Sequence, residues 1–441
     1  MTTTNGLHAT VSTPPPFANP ETVSGLGLKY SLISDLFLKH ALAAGNNTLS
    51  EIAGSMKIAI VHAESVFHLL KTQQLIEVRG MYGEDYSFSL SAAGKKVALE
   101  RMNVSGYVGP LPVPLAHYEL AVRSQVGRTK VNRAALSRAF HDLALPPELI
   151  SRLGPALVSR SSMFLYGPSG TGKSSLAERL LRVFDDIVAI PWAIEVDGNI
   201  ISVFDPSVHR LAEVTSPDQD PRWQLCSRPS ILVGGELVPT MLELQRNPET
   251  GSYLAPLHMK ANNGVFVIDD FGRQMISPRD LLNRWIVPLD RRVDYLSTAA
   301  GMKFPIPFEV FVVFSSNLHP AELGDEAFLR RIRNKIFVDT AEPGIFDEIV
   351  TRRIKSLEWE SQPGAMEYLR RVCMERGGAL RHCYPGDICK IIESAAEFEE
   401  REPMLAKDDI DRAANIYFSG SATFGPAASS APSSAGTAVL N

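Results

Sequence analysis

The sequence predicts an α/β protein: a core built on a central parallel sheet, a helical segment C-terminal to it, and a small α+β domain in front. Three observations predict this. A short apolar run, Met163–Tyr166, enters a glycine-rich turn, and an amphipathic helix leaves it at Lys173. A second run, Val265–Ile268, ends on two adjacent acids, Asp269 and Asp270. A third, "PFEVFVVFSSN", ends on Asn317. Short apolar runs bounded by turn signals and separated by helical patterns are the signature of strands buried on both faces.

The 441 residues suit two or three domains. Apolar residues make up 45% and charged residues 21%, an ordinary globular balance with material for a core. Lys and Arg number 44 against 49 Asp and Glu, a net charge of −5, which is no overall signature for nucleic acid or an anionic membrane. The four cysteines form no C-x-x-C pair and read as reduced thiols in a cytosolic protein. His382, Cys383 and Cys389 match no common zinc spacing. The first residues, "MTTTNGLHATVSTPPPFANP", have neither a basic region nor an apolar stretch of the secretory kind. No apolar run approaches the ~20 residues of a membrane helix. The expectation is a soluble, cytoplasmic protein.

In chain order, residues 1–24 and 419–441 are too poor in apolar groups to offset the entropy of ordering, so both ends are expected to be disordered. Residues 25–104 form the small α+β domain. "KYSLISDLFLKHALAAG" is a helix closed by Gly45, and Thr48 with Glu51 makes a capping box for the next. "VHAESVFHLLKTQQLIEV" carries Val66, Leu69 and Leu70 at helical spacing. "LIEVRG" and "YSFSLS" are strands joined by a turn at 80–85, and "SAAGKKVALERM" is a last helix. This order resembles a winged helix-turn-helix. Its third helix is expected to turn His62, Glu64, His68, Lys71 and Gln74 outward, a poor phosphate footprint, so protein docking is at least as good a reading as DNA binding. Residues 105–130 read as a Pro-rich and basic linker. The basic stretch Arg123, Arg128, Lys130, Arg133 and Arg138 is a solvated face or a contact for nucleic acid or a neighbouring subunit.

The turn itself, Gly167, Pro168, Ser169, Gly170, Thr171, Gly172, Lys173, Ser174 and Ser175, is G-x-x-x-x-G-K-S followed by a helix. Glycines let successive backbone N–H groups converge on phosphate oxygens. The lysine reaches the β and γ phosphates, and the Ser174 hydroxyl ligates Mg²⁺. This accounts for two acids with no cation beside them in sequence. A neighbouring strand ending on acids is the Walker B arrangement, in which Asp269 holds Mg²⁺ and Asp270 acts as general base toward the attacking water. ATP and Mg²⁺ are thus the expected ligands.

From about Val131 to Phe418 the chain resembles the AAA+ ATPases. The resemblance implies an ATPase core over 131–342 and a helical lid over 343–418. It gives Asn317 the place of the residue that senses the γ-phosphate, and it gives "DEAFLRRIRNKIFV" the place of the segment carrying the arginine finger. Arg331 is the first choice for that finger and Arg330 the second. The stretch from Leu232 to Leu296 is similar to the clade of enhancer-binding proteins, chelatase motors and MoxR-type ATPases, with Gly234, Gly235 and Glu236 marking a substrate-facing loop. Two departures stand out. The Walker B pair is Asp-Asp where the family usually has Asp-Glu, which implies slow or partner-stimulated turnover. Gly386 also stands where relatives place a second sensing arginine, with Arg381 as a substitute. The resemblance implies a hexamer-like homo-oligomeric ring that remodels a protein client. Two alternatives stay open: a DNA-binding regulator using the winged helix, and a scaffold that binds ATP without hydrolysing it.

Overall fold

The computed structural model describes residues 17–45, 47–83, 85–127, 130–214, 218–323 and 329–418. The expected disordered tail 419–441, Arg128 and the N-terminal stretch to residue 16 lie outside the described residues. The chain divides into two compact units. The first comprises the chain to residue 142 with 147–167 and 173–338, and the second comprises 143–146, 168–172 and the chain from 339 onward.

Within the first unit, helices Tyr30–Ala44, Leu49–Met56 and Ile60–Thr72 precede the hairpin Ile76–Tyr82 and Asp85–Leu90, and helix Ala92–Val104 closes the set. Strand Asn47–Thr48 pairs with the second hairpin strand. The capping box forms as drawn: the Thr48 side chain accepts from the Glu51 N–H, and the Glu51 carboxylate accepts from the Thr48 N–H. The core gathers Phe37, Phe67 and Phe88, with ring centres 5.1–5.8 Å apart. Each such ring contributes about 1.5–3 kcal/mol by leaving water.

Three expectations need correction here. His62 does not face outward; it is 2% exposed. The other four, Glu64, His68, Lys71 and Gln74, are exposed as expected, and Ile60, Val61 and Leu69 are exposed beside them. The N-terminal stretch is structured from Phe17, which is buried edge-on against Trp223 at 5.1 Å; a single aromatic ring suffices to anchor an otherwise polar segment. The Pro-rich linker is no linker. Val113–Pro114 is a strand paired in parallel with Ala193–Val196, and helix Leu115–Ser124 buries Tyr118, Ala121 and Val122 at i, i+3, i+4 spacing. Arg222 ties this region together. Its guanidinium, 1% exposed, pairs with Asp220 and donates to the carbonyls of Leu26 and Pro112.

The core sheet has five strands, β1 (Met163–Tyr166), β2 (Ser230–Val233), β3 (Val265–Ile268), β4 (Phe311–Ser316) and β5 (Asn334–Phe337), in the order β2-β3-β4-β1-β5. All four pairings are parallel. β3 and β4 are buried at every position, which explains their unbroken apolar runs. A second five-stranded sheet is built on Ala193–Val196 and Asn199–Ser202, and Ile187–Pro191 pairs with Trp223–Ser227. The second unit contains helices Pro343–Leu357, Ala365–Gly377, Tyr384–Phe398 and Lys407–Tyr417 around Phe346, Leu369, Ile388 and Ile410. No helix among the described residues is long and apolar enough to cross a membrane.

Candidate nucleotide-binding site

Parallel strands deliver their C-terminal ends to one edge of a sheet, and ligands of open α/β sheets bind at that edge. In register, Tyr166 of β1 lies beside Ser316 of β4, and Phe314 of β4 lies beside Ile268 of β3. The residues that follow these strands therefore emerge together: Gly167, Asn317 and Asp269.

Gly167 begins the turn at φ 145°, and a Cβ there would stand 2.2 Å from the carbonyl oxygen of Val338, so no other residue fits. Lys173 opens the helix Lys173–Arg179 and is 6% exposed. Its ammonium donates to Gly167 O at 2.9 Å and to Asn317 Oδ1 at 2.7 Å. The Asn317 amide in turn donates to Asp270 Oδ1 at 3.3 Å. A hydrogen-bonded line thus runs from the lysine that opens the helix through the strand-end asparagine to the second aspartate. Burial pulls the Lys173 ammonium below the ordinary lysine value, and the nearby charges of Asp269 and Asp270 push it back up. Ser174 and Asp269 are half-buried, and Asp270 is exposed.

The turn carrying the acids is locked by groups that sequence reasoning missed. Asp270 adopts φ 47°, a left-handed conformation in which Asp is several-fold enriched over bulkier residues. Gln274 donates to the carbonyls of Asp269 and Asp270 and accepts from the N–H of Gly272. Ser316 donates to Phe271 O at 2.7 Å, and the Phe271 N–H donates to Ser315 O at 2.7 Å. Nothing in the local pattern marks Gln274; only the turn's geometry gives it a role.

Arg331 and Arg330 lie apart from this line. Arg331 donates to Asp290 at 2.6 Å and is 18% exposed, whereas Arg330 is exposed. Gly234 donates its N–H to the Glu236 carboxylate, so the Gly234–Gly235–Glu236 loop is held by its own acid.

Within the second unit, residues 168–172 pack on the turn before helix Tyr384–Phe398. Thr171 donates to Pro168 O, and the Cys383 N–H donates to Gly170 O at 3.1 Å. A Cβ on Gly170, which has φ 78°, would meet Cys383 Sγ at 2.7 Å and the Arg381 side chain at 3.3 Å. Arg381 therefore stands beside the loop. Among the described residues no group of His, Cys, Asp and Glu is arranged to hold a metal by itself.

Residues 342–416 match a family described as "Domain of unknown function (DUF8689)". No curated protein matches the sequence. Among solved structures, the chain is similar to NtrX from Brucella abortus in complex with ATP, at 14% identity and a TM-score of 0.37, covering 74% of this chain and 64% of that one. The match therefore spans less than two thirds of that protein's length. The Thermotoga maritima RuvB Holliday junction branch migration motor is similar at 13% identity and a TM-score of 0.34, over 65% of this chain and 70% of that one. A structure of the complex between the BchI and BchD subunits of magnesium chelatase is similar at 13% identity and a TM-score of 0.33, over 63% of this chain and 92% of that one. Likenesses at these TM-scores carry no weight of their own. The chain itself places the strand that enters the Gly167 turn, the acid-ending strand and the Asn-ending strand in one parallel sheet, and its second unit is helical.

Proposed function

We propose that this chain is an ATP-binding and ATP-hydrolysing enzyme of the AAA+ class that acts as a hexamer-like ring on a protein client in the cytoplasm. The single observation behind this reading is the Lys173–Asn317–Asp270 line, which joins at one sheet edge three motifs whose linked residues lie 144 and 47 positions apart in sequence. The donor set fits the expected ligands. An ammonium and a run of backbone N–H groups suit a triphosphate, and a hydroxyl with two carboxylates suits a hard divalent cation.

In this reading Gly167 to Ser175 cradle the phosphates, and Lys173 binds the β and γ oxygens. Ser174 and Asp269 hold Mg²⁺, which when bound neutralises charge on the phosphates. Asp270 accepts the proton of the attacking water, and the Asn317 amide orients that water. Arg381 takes the place of the absent second sensing arginine. Of the two finger candidates, Arg330 is the better placed to reach a neighbouring subunit, because Arg331 is engaged by Asp290. Side chains aimed at developing charge act mainly by electrostatic stabilisation, and one such arginine is worth about 10³–10⁵ in rate.

The decisive experiment is paired. Lys173→Ala is expected to abolish binding of a fluorescent ATP analogue. Asp270→Asn is expected to bind it like the wild type and release no phosphate. Turnover at the wild-type rate in the second variant removes Asp270 from the mechanism. Steady-state phosphate release by the wild type excludes the scaffold alternative.

The N-terminal domain has the element order of a winged helix. Its third helix offers solvent Ile60, Val61 and Leu69 together with a Glu64–His68 pair at 3.6 Å. A face of this kind favours a protein partner over DNA. A gel shift on mixed duplexes at low salt is expected to stay blank; a sequence-selective shift would restore the regulator reading.

A further inference from the structure

We infer that the arginine cluster beneath the N-terminal end of the core sheet is a binding site for one compact inorganic anion of halide size. The site lies at the edge of the sheet opposite the phosphate loop, where Arg160 precedes β1, Arg228 precedes β2, Gly264 precedes β3, and Glu309 and Val310 precede β4. Arg160, Arg228 and Arg292 line a small, partly open cavity of about 20 Å³ together with Phe184, Asn263 and Glu309. That is room for one species the size of a water molecule or a halide.

The charges around the cavity do not balance. Arg228 has a side chain 1% exposed and makes four hydrogen bonds: Asp186 takes two at 2.6 Å, and the carbonyls of Asn263 and Gln125 take one each. Asp186 and Glu309 hold the Arg160 charge up, against Arg228 and Arg292, which pull it down. Arg292 donates only to neutral carbonyls, those of Val310 and Arg160. Arg160 sits in a left-handed turn at φ 47° after helix Pro147–Ser159, with its guanidinium 5.2 Å from the centre of the Phe184 ring, a ring that Arg228 also faces at 5.7 Å. Its Nη2 is buried with no hydrogen-bond partner.

A buried guanidinium nitrogen without an acceptor loses its hydration and gains no hydrogen bond in exchange. A second guanidinium against the same ring adds repulsion, and burial with the charge of Arg228 pulls Arg160 below the ordinary arginine value. Glu309 also faces the cluster, where burial pushes its carboxyl up while Arg292, Arg123 and Arg160 pull it down. One anion at Arg160 Nη2 satisfies the donor and offsets the excess charge. A water molecule satisfies only the donor.

The test uses the full chain. Thermal unfolding is followed in potassium chloride and in potassium gluconate at equal ionic strength, gluconate being too large for the cavity. A saturable rise in Tm with chloride and with bromide is expected. Sulfate, too wide for the site, is expected to give none. Chloride NMR linewidths should broaden with the wild type and not with Arg160→Met. Glu309→Gln, which removes the competing negative charge, should lower the half-saturating chloride concentration about tenfold. Identical unfolding curves in chloride and gluconate overturn the site and leave a bound water. A chloride effect that survives Arg160→Met, in both Tm and linewidth, overturns this location. A saturable response to sulfate equal to that of chloride overturns the stated size.

Discussion

A buried ammonium has to be matched, and at Lys173 the matching groups are those that define the site. Gly167 O and Asn317 Oδ1 take its protons, and Asp269 and Asp270 supply the field. The same scale accounts for an aspartate at position 270. The residue sits at φ 47°, and Asp or Asn populates that region far more readily than longer side chains do. Asp270→Glu should therefore lower stability by about 1 kcal/mol through backbone strain, whereas Asp270→Asn should unfold at the wild-type denaturant concentration while losing turnover. Urea titrations of the two variants separate strain from chemistry. Gln274 acts through the turn and not on the reacting atoms. Gln274→Ala is expected to lower kcat roughly tenfold or more while leaving nucleotide affinity nearly unchanged, since misplacement by about 1 Å costs on the order of a hundredfold. An unchanged kcat would assign Gln274 to stability alone.

Elements were legible in the sequence where one local rule decided them. Helix Leu49–Met56 begins at Thr48 because its side chain and that of Glu51 close a reciprocal box, and Thr48→Ala should cost about 1 kcal/mol in chemical denaturation. The core strands were legible because β3 and β4 are buried on both faces and tolerate no polar interruption. The helices of the second unit were expected only from the family resemblance, not from a periodicity read in the sequence. What escaped was decided by distant partners. Phe17 looks like part of a polar tail until Trp223 is beside it. The segment after Gly109 looks like a linker because its prolines mask a strand of two residues and a helix whose buried face is only three residues wide. His62 lies on a helix whose apolar stripe is broad enough to bury a ring that spacing alone assigns to solvent. Gly264 belongs to this class too. Its Cβ would lie 2.0 Å from Pro229 O, a contact made where β2 and β3 begin side by side. Gly264→Ala should cost more than about 3 kcal/mol, read as a fall in the denaturation midpoint, because backbone and not a side chain would have to move.

At the scale of the whole molecule, buried histidines set the acid limit. Burial lowers the proton affinity of His40, His62, His117 and His209 in the first unit and of His382 in the second. Each folded-state pKa lies below the ordinary 6.5, so the unfolded chain binds protons first. Their contribution to stability is full above pH 6.5 and is lost as the pH falls from there through the folded values; Tm measured from pH 7.5 to 5 should decline, with no matching decline on the alkaline side from these groups. In the proposed ring, each active site would be the work of two chains. If Arg330 completes a neighbour's site, Lys173→Ala chains lack a working site but still offer the arginine, and Arg330→Ala chains have an intact site but offer none. Each variant alone should release phosphate at a small fraction of the wild-type rate. Mixed in equal amounts, they should recover activity, because some Arg330→Ala sites then face a Lys173→Ala neighbour whose arginine is present. Recovery requires that the arginine act between subunits; a mixture no more active than the sum of its parts, with co-assembly shown by size and by tag pull-down, would assign Arg330 to its own chain.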